Sequence, residues 1–162
     1  MGNTIVHSQL KDVKDFLSNT VLKLEDFLNE TTLSSMEQEI QGSEDYNKTI
    51  LSNLRKLLVS CEEGLEACKV VLQGDPFSKP AAEKTLFGIY YHCIEEFFSP
   101  RSDVWYEDSR SAYTGKNSIK FRQGVTKGVG SLMAGLEGEF QRIREELEYY
   151  ETDYRTKILH SK

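Results

Sequence analysis

The chain has 162 residues, a length typical of a single domain with one modest core. With 38% hydrophobic and 28% charged residues it is neither disordered nor of low complexity, and its longest uncharged stretch, residues 85–94, is far below the roughly 20 residues that cross a bilayer. A net charge of −6 argues against general nucleic-acid binding, because phosphate recognition depends on Lys and Arg.

The first predicted element is a long amphipathic helix over residues 3–29, where apolar residues recur at spacings of three and four. A break follows it. Within this break Ser34 and Glu37 have the spacing of a capping box, which predicts a short turn closed by Gly42. The apolar positions of the helix are Val6, Leu10, Val13, Leu17, Val21, Leu24 and Leu28.

A second helix is predicted over residues 43–73, with Ser43 as its N-cap and Gly74 as a left-handed C-terminal cap. A third helix is predicted over residues 79–98. The three prolines of the chain flank this third segment and are absent elsewhere, at Pro76, Pro80 and Pro100.

Residues 101–123 break the helical period and alternate apolar with basic positions near their end, which predicts a β-hairpin with its turn at residues 114–117. The helical period returns over residues 125–158. Four amphipathic helices with mostly short connections predict a mainly all-α fold. The expected architecture is an antiparallel four-helix bundle with a hairpin insertion between the third and fourth helices, in one domain over residues 1–162.

The start of the fourth helix is rich in glycine, which costs roughly 0.8–1 kcal/mol per residue relative to alanine. The favoured interpretation is close approach of a neighbouring element. The alternative is that backbone amides at the helix N-terminus face an anionic ligand. These glycines are Gly124, Gly128, Gly130, Gly135 and Gly138.

The candidate binding site is the basic-aromatic hairpin, residues 101–123. Arg and Lys side chains suit phosphate or carboxylate groups, and aromatic rings between them suit stacking. The alternative is a structural hairpin whose cations pair with acidic helices and whose rings dock on the bundle. The predicted ligand-binding residues are Arg110, Lys116, Lys120, Arg122, Trp105 and Tyr113.

Catalytic and metal chemistry receive little support. No Glu lies three residues before His92 or His160, as a di-iron bundle requires, and no CxxC or HxxxH spacing occurs, so no metal and no cofactor are expected. Arg155 and His160 match the Arg-x4-His spacing of the helical endoribonucleases called HEPN domains, a match that chance readily supplies in a chain of this length.

We expect a cytoplasmic protein. The first ten residues lack the basic leader and apolar core of a signal peptide, and Val6 stands where a myristoylation motif needs Ser or Thr. Cys61 and Cys68 lie on an apolar stripe, so reduced, buried thiols are predicted.

The segment Trp-Tyr-Glu-Asp-Ser-Arg-Ser-Ala-Tyr-Thr-Gly-Lys-Asn at residues 105–117, with residues 2–6 and 27–32, resembles the YpuI-like family of small proteins from Gram-positive, spore-forming bacteria. The resemblance covers most of the chain. It implies a bacterial cytosolic setting and transfers no catalytic residue.

The leading hypothesis is a non-enzymatic binding protein that uses the hairpin to contact a protein partner or a phosphorylated small ligand; nucleic acid is expected only through this local basic segment. A second hypothesis is a structural homodimer formed through the fourth helix, at Leu147, Tyr150, Tyr154 and Ile158. The third is the HEPN-like ribonuclease with Arg155 and His160.

Overall fold

The computed structural model describes residues 2–108 and 117–160, with side chains as far as residue 150. The molecule is mainly helical, with one small antiparallel sheet. Its elements are α1 (Asn3–Glu30), α2 (Leu33–Glu39), α3 (Glu44–Leu72), α4 (Lys79–Ile89), a π-helix (Tyr90–Ile94), α5 (Glu95–Phe98), β1 (Trp105–Glu107), β2 (Ile119–Phe121) and α6 (Lys127–His160).

The break after α1 contains a real helix, α2, whose capping box differs from the predicted one. Thr32 Oγ1 accepts a hydrogen bond from the Ser35 amide at 3.0 Å, and Ser35 Oγ accepts one from the Thr32 amide at 3.1 Å. The Ser34 and Glu37 box was wrong because the helix begins at Leu33, which makes Thr32 the capping residue. Glu37 instead accepts from the Gly42 amide at 2.6 Å.

The ends of α3 also differ from expectation. Ser43 stands at the N-cap, but its side chain makes no capping hydrogen bond. Gly74 was predicted to be left-handed, and this was wrong: among the described glycines the positive φ belongs to Gly42, at 83°. The Gly74 amide donates to the Val71 carbonyl at 3.1 Å, so a tightened last turn satisfies that carbonyl without a left-handed residue.

The predicted third helix is interrupted. Residues 79–98 are helical throughout, but the middle turn, Tyr90–Ile94, is a π-helix between α4 and α5. A π-turn inserts extra backbone into the helix and rotates the side chains that follow it, and such turns are frequent at functional sites. Helical periodicity in the sequence did not reveal this interruption.

The predicted hairpin is present as β1 paired antiparallel with β2, in a register that places Trp105 opposite Phe121 and Glu107 opposite Ile119. Residues 114–116 of its predicted turn lie outside the described residues. Tyr46 of α3 ties the sheet to the helices: its hydroxyl donates to the Val104 carbonyl at 2.6 Å and accepts from the Arg122 amide at 3.1 Å.

The helices bury one continuous apolar core. α1 packs on α3, α4 and α6, while α4 packs on α3 and α6. Aromatic rings join α1, α5 and α6, because Phe140 of α6 stacks on Phe97 of α5 at 4.1 Å between centroids and meets Phe16 of α1 edge to face at 4.9 Å. In the described part of the chain, no helix is long and apolar enough to cross a membrane.

Close packing accounts for just one of the glycines near the start of α6. A Cβ at Gly128 would lie 3.3 Å from the ring of Phe27, whereas Gly124, Gly130, Gly135 and Gly138 have nothing within 4 Å. The general close-approach interpretation is therefore wrong for these four.

The alternative was an anionic ligand at the N-terminus of α6. In the structure a carboxylate of the protein itself accepts a hydrogen bond there. Glu39 Oε2 accepts a hydrogen bond from the Lys127 amide at 2.7 Å, and Thr126 Oγ1 accepts from the Val129 amide at 3.3 Å. A carboxylate at the positive end of the helix dipole is stabilising. The end of α2 is thereby fastened to the start of α6.

Candidate ligand-binding groove

Two of the four cations predicted to bind a ligand, Lys120 and Arg122, are described by the structure, and each is half-buried or engaged within the hairpin. Arg122 donates to Asp103 at 2.9 Å, and its guanidinium lies 4.2 Å from the centre of the Tyr106 ring. Lys120 is half-buried. The remaining predicted residues, Arg110, Tyr113 and Lys116, lie outside the described part of the chain.

The structure contradicts the stacking role predicted for Trp105. The side chain is 0% exposed, and its indole N–H donates to the Phe97 carbonyl at 2.6 Å. A buried Trp with a satisfied N–H is a packing residue. Trp105 therefore fits the alternative prediction, in which the rings of the hairpin dock on the helices. Side chains alternate along β1, so Trp105 points toward the core and Tyr106 toward solvent.

The hairpin is also bound to α6 at two points, Glu107 of β1 and Ser118 just before β2. Arg144 forms a two-pronged ion pair with Glu107, at 2.9 and 2.6 Å, and its guanidinium lies 3.7 Å from the centre of the Phe98 ring. The buried carboxylate of Glu137 accepts from the Ser118 amide at 3.2 Å and from its hydroxyl at 3.0 Å. These contacts are the charge-assisted kind that positions an element firmly.

The residues predicted for a homodimer divide into two groups. Leu147 and Tyr150 are buried in the core of their own chain, and the Tyr150 hydroxyl contacts Gln9, so a dimer seam through these two residues was wrong. The side chains of Tyr154 and Ile158 lie outside the described ones. The same holds for Arg155 and His160, so the ribonuclease interpretation stays a prediction.

A groove with a volume of about 670 Å³ lies between α3 and the segment that contains the π-helix. Small-molecule sites commonly have volumes of 300–1,000 Å³. We call this surface the groove. It is lined by Ser52, Asn53, Arg55, Lys56, Val59 and Ser60 of α3, by Tyr91, His92, Glu95 and Glu96, and by Ser99, Arg101 and Ser102 of the following loop.

Three cations line the groove. Arg55 and Lys56 are exposed, and neither forms an ion pair with any residue that the structure describes. Arg101 donates to the Tyr91 hydroxyl at 3.3 Å, which holds its guanidinium beside an aromatic ring that is 39% exposed. The groove thus combines free positive charge with an accessible ring.

A buried amide in the groove lacks a partner. Asn53 is 2% exposed; its Oδ1 accepts from the Ser102 hydroxyl at 2.8 Å, but its Nδ2 has no hydrogen-bond partner among the described residues. Leaving a buried donor unsatisfied costs roughly 1–3 kcal/mol. This orphaned donor at a polar groove is typical of a site that a ligand or water completes.

Sequence reasoning missed the groove. Its basic residues stand on a helix face that has the ordinary polar pattern of a solvated surface, and the π-helix has no sequence signature. One available signal was Val59, an apolar residue outside the stripe of α3, which is 51% exposed and lines the groove. Such single exposed apolar residues are common, so the signal alone would not have located the site.

Cys61 of α3 and Cys93 of the π-helix form a contacting pair of thiols. A hydrogen bond with Cys61, followed by burial, raises the pKa of Cys93 well above its ordinary value, and burial raises the pKa of Cys68 to about 12. All three cysteines are buried and free. High pKa values make thiols poor nucleophiles. Within the described residues no three His, Cys, Asp or Glu side chains form a metal-binding group.

Comparison with known proteins identifies the family of this chain. A family model described as "Protein of unknown function (DUF3907)" matches residues 10–156. The uncharacterized protein YpuI of Bacillus subtilis (strain 168) is 43% identical over 151 residues, which cover 93% of this chain and 84% of that relative. No solved structure matches. The resemblance to YpuI-like proteins is confirmed, and the chain belongs to the bacterial family of proteins of unknown function DUF3907.

Proposed function

We propose that this chain is a non-enzymatic, cytoplasmic binding protein that holds a small anionic ligand in the groove. The single observation that supports this most is the presence of three cations, Arg55, Lys56 and Arg101, around one concave surface, none of them with an ion pair among the described residues. Unpaired cations that share a cleft with donor groups raise the local concentration of anions and bind them.

The proposal keeps the anionic ligand that the sequence suggested and moves its main contacts. The loop that supplies Arg101 and Ser102 to the groove continues directly into β1, so the hairpin adjoins the site. In this proposal the described hairpin cations, Lys120 and Arg122, add to the positive field near the groove and do not form the first contacts with the ligand.

The architecture that carries the groove is, in this proposal, an antiparallel four-helix bundle. Its support is the closed ring of neighbours in which α1 meets α3, α3 meets α4, α4 meets α6 and α6 meets α1. A groove between two helices of such a bundle is a usual place for a ligand. The cytoplasmic setting is supported by the three free, buried cysteines, which suit a reducing compartment.

The test compares two double variants of α3 that remove the same charge. Arg55→Ala with Lys56→Ala removes the groove cations, whereas Lys48→Ala with Lys69→Ala removes two exposed cations elsewhere on that helix. Binding of inorganic phosphate is followed by the thermal unfolding midpoint, with sodium chloride at equal ionic strength as the reference.

Phosphate is expected to raise the midpoint of the wild type and of the Lys48 and Lys69 variant. In the Arg55 and Lys56 variant the affinity should fall about tenfold or more, as loss of charge-assisted hydrogen bonds predicts. Equal midpoints in phosphate and chloride for the wild type would refute the proposal, as would equal loss in both double variants.

A further inference from the structure

The groove contains two carboxylates as well as its cations, and this mixture restricts the ligand. Glu95 is half-buried and its carboxylate has no hydrogen bond or ion pair with the described residues, while Glu96 Oε1 accepts from the Arg101 amide at 3.4 Å. Neither lies within the 4.0 Å of a groove cation that an ion pair requires. Opposite charges therefore share one groove without forming an ion pair.

A simple anion uses only part of this arrangement, because the cations attract it while the carboxylates weaken that attraction. A ligand with an anionic group at one end and hydroxyl donors at the other satisfies both sets of charges. Ionised carboxylates accept hydrogen bonds and cannot donate them, so Glu95 selects for donors such as sugar hydroxyls.

The neutral lining of the groove fits the same chemistry. Four serine hydroxyls and the Tyr91 hydroxyl surround the cations, and each hydroxyl both donates and accepts. The unpartnered Nδ2 of Asn53 is a further donor for a ligand oxygen. The exposed ring of Tyr91 provides an apolar wall against which a sugar ring packs. The serines are Ser52, Ser60, Ser99 and Ser102.

We infer, resting on the function proposed above, that the groove binds a phosphorylated sugar. Arg55, Lys56 and Arg101 hold the phosphate oxygens. Glu95 accepts hydrogen bonds from the sugar hydroxyls. Recognition of this kind requires both parts of the ligand in one molecule, because the phosphate contributes the attraction and the hydroxyls relieve the unpaired carboxylate.

The experiment measures calorimetric affinities of the wild-type chain for ribose 5-phosphate, inorganic phosphate and ribose. Ribose 5-phosphate is expected to bind at least about tenfold more tightly than inorganic phosphate, and ribose alone more weakly than either, since one or two good hydrogen bonds correspond to a tenfold change in affinity. The same three ligands are then titrated into Glu95→Gln and, as a matched control on α3, Glu66→Gln.

Glu95→Gln should reduce the preference for ribose 5-phosphate over phosphate to about threefold or less, because a neutral amide accepts hydrogen bonds less strongly, and its affinity for phosphate alone should stay equal or rise. Glu66→Gln should keep the wild-type ratio. Equal affinity of the wild type for ribose 5-phosphate and phosphate, or an unchanged ratio in Glu95→Gln, would overturn the sugar assignment and leave anion binding in place. Absence of binding by both anions would overturn both.

Discussion

Two surfaces of this molecule carry cations beside tyrosine rings, and they differ in what those cations contact. On the hairpin, Arg122 pairs with Asp103 and lies over Tyr106. In the groove, Arg55 and Lys56 form no ion pair with the described residues. The density of basic residues along the sequence is highest at the hairpin, yet the groove is where the structure brings unpaired cations from distant parts of the sequence together around one concave surface.

The difference shows that a basic, aromatic segment can serve the fold. The hairpin packs on the helical core, because its strands bury Trp105 and Ile119 while Glu107 and Ser118 contact α6. A two-stranded sheet is marginal by itself and needs such packing to be stable. The groove differs from the hairpin, because a ligand site needs polar groups that have no partner within the fold.

The largest expected effect tests whether the hairpin belongs to the core. Trp105→Ala should lower the free energy of unfolding by about 3–5 kcal/mol, through the cavity left by the indole and the unpaired carbonyl of Phe97. Trp105→Phe retains a ring and should cost less. Urea denaturation followed by circular dichroism measures both. If Trp105→Ala lowers the free energy of unfolding by less than about 1 kcal/mol, the hairpin does not contribute to the core as the comparison with the groove requires.

An intermediate effect is expected where the hairpin meets α6. Arg144→Met keeps the apolar stem over Phe98 but leaves Glu107 unpaired in a partly buried position, so the free energy of unfolding should fall by about 1–3 kcal/mol. The matched variant is Arg122→Met, whose exposed ion pair should contribute about 0–1 kcal/mol. If both variants lose the same free energy of unfolding in urea denaturation, burial does not make the Arg144 ion pair more stabilising than the Arg122 ion pair.

The smallest expected effect is a pH dependence of stability at the contact between α1 and α6, which belongs to neither surface. Burial, followed by the hydrogen bond to Asp12, raises the pKa of Glu146 to about 7. The folded state therefore favours protonated Glu146, and the stability from this group is present below its ordinary pKa of 4.5 and is lost as the pH rises through about 7.

The thermal unfolding midpoint should accordingly fall between pH 5 and pH 8, and Glu146→Gln should remove this slope. The hydrogen bond from Arg142 lowers the pKa of Asp12, so stability from Asp12 is lost only as the pH falls below its ordinary 3.8, outside the measured range. A midpoint that rises with pH in the wild type would contradict the assignment. Binding assays on either surface are best compared at one pH for this reason.

Much of the secondary structure followed from the sequence. Apolar periodicity predicted a helix over residues 43–73, and α3 runs from Glu44 to Leu72. Prolines and the switch from helical to alternating pattern placed the hairpin between helices. Local details were less predictable: Thr32 and Ser35 cap α2 where Ser34 and Glu37 were expected, because adjacent polar residues compete for one capping position.

The family, the helices and the strand pair were determined by the sequence itself, since each depends on local periodicity, turn residues or direct resemblance. The tertiary structure decided which cations are paired, that Trp105 is buried and that Arg101 comes beside Arg55 and Lys56 across the groove. Those outcomes depend on contacts between residues far apart in the chain and on a π-turn that rotates the side chains after it. Composition and spacing carry no record of either.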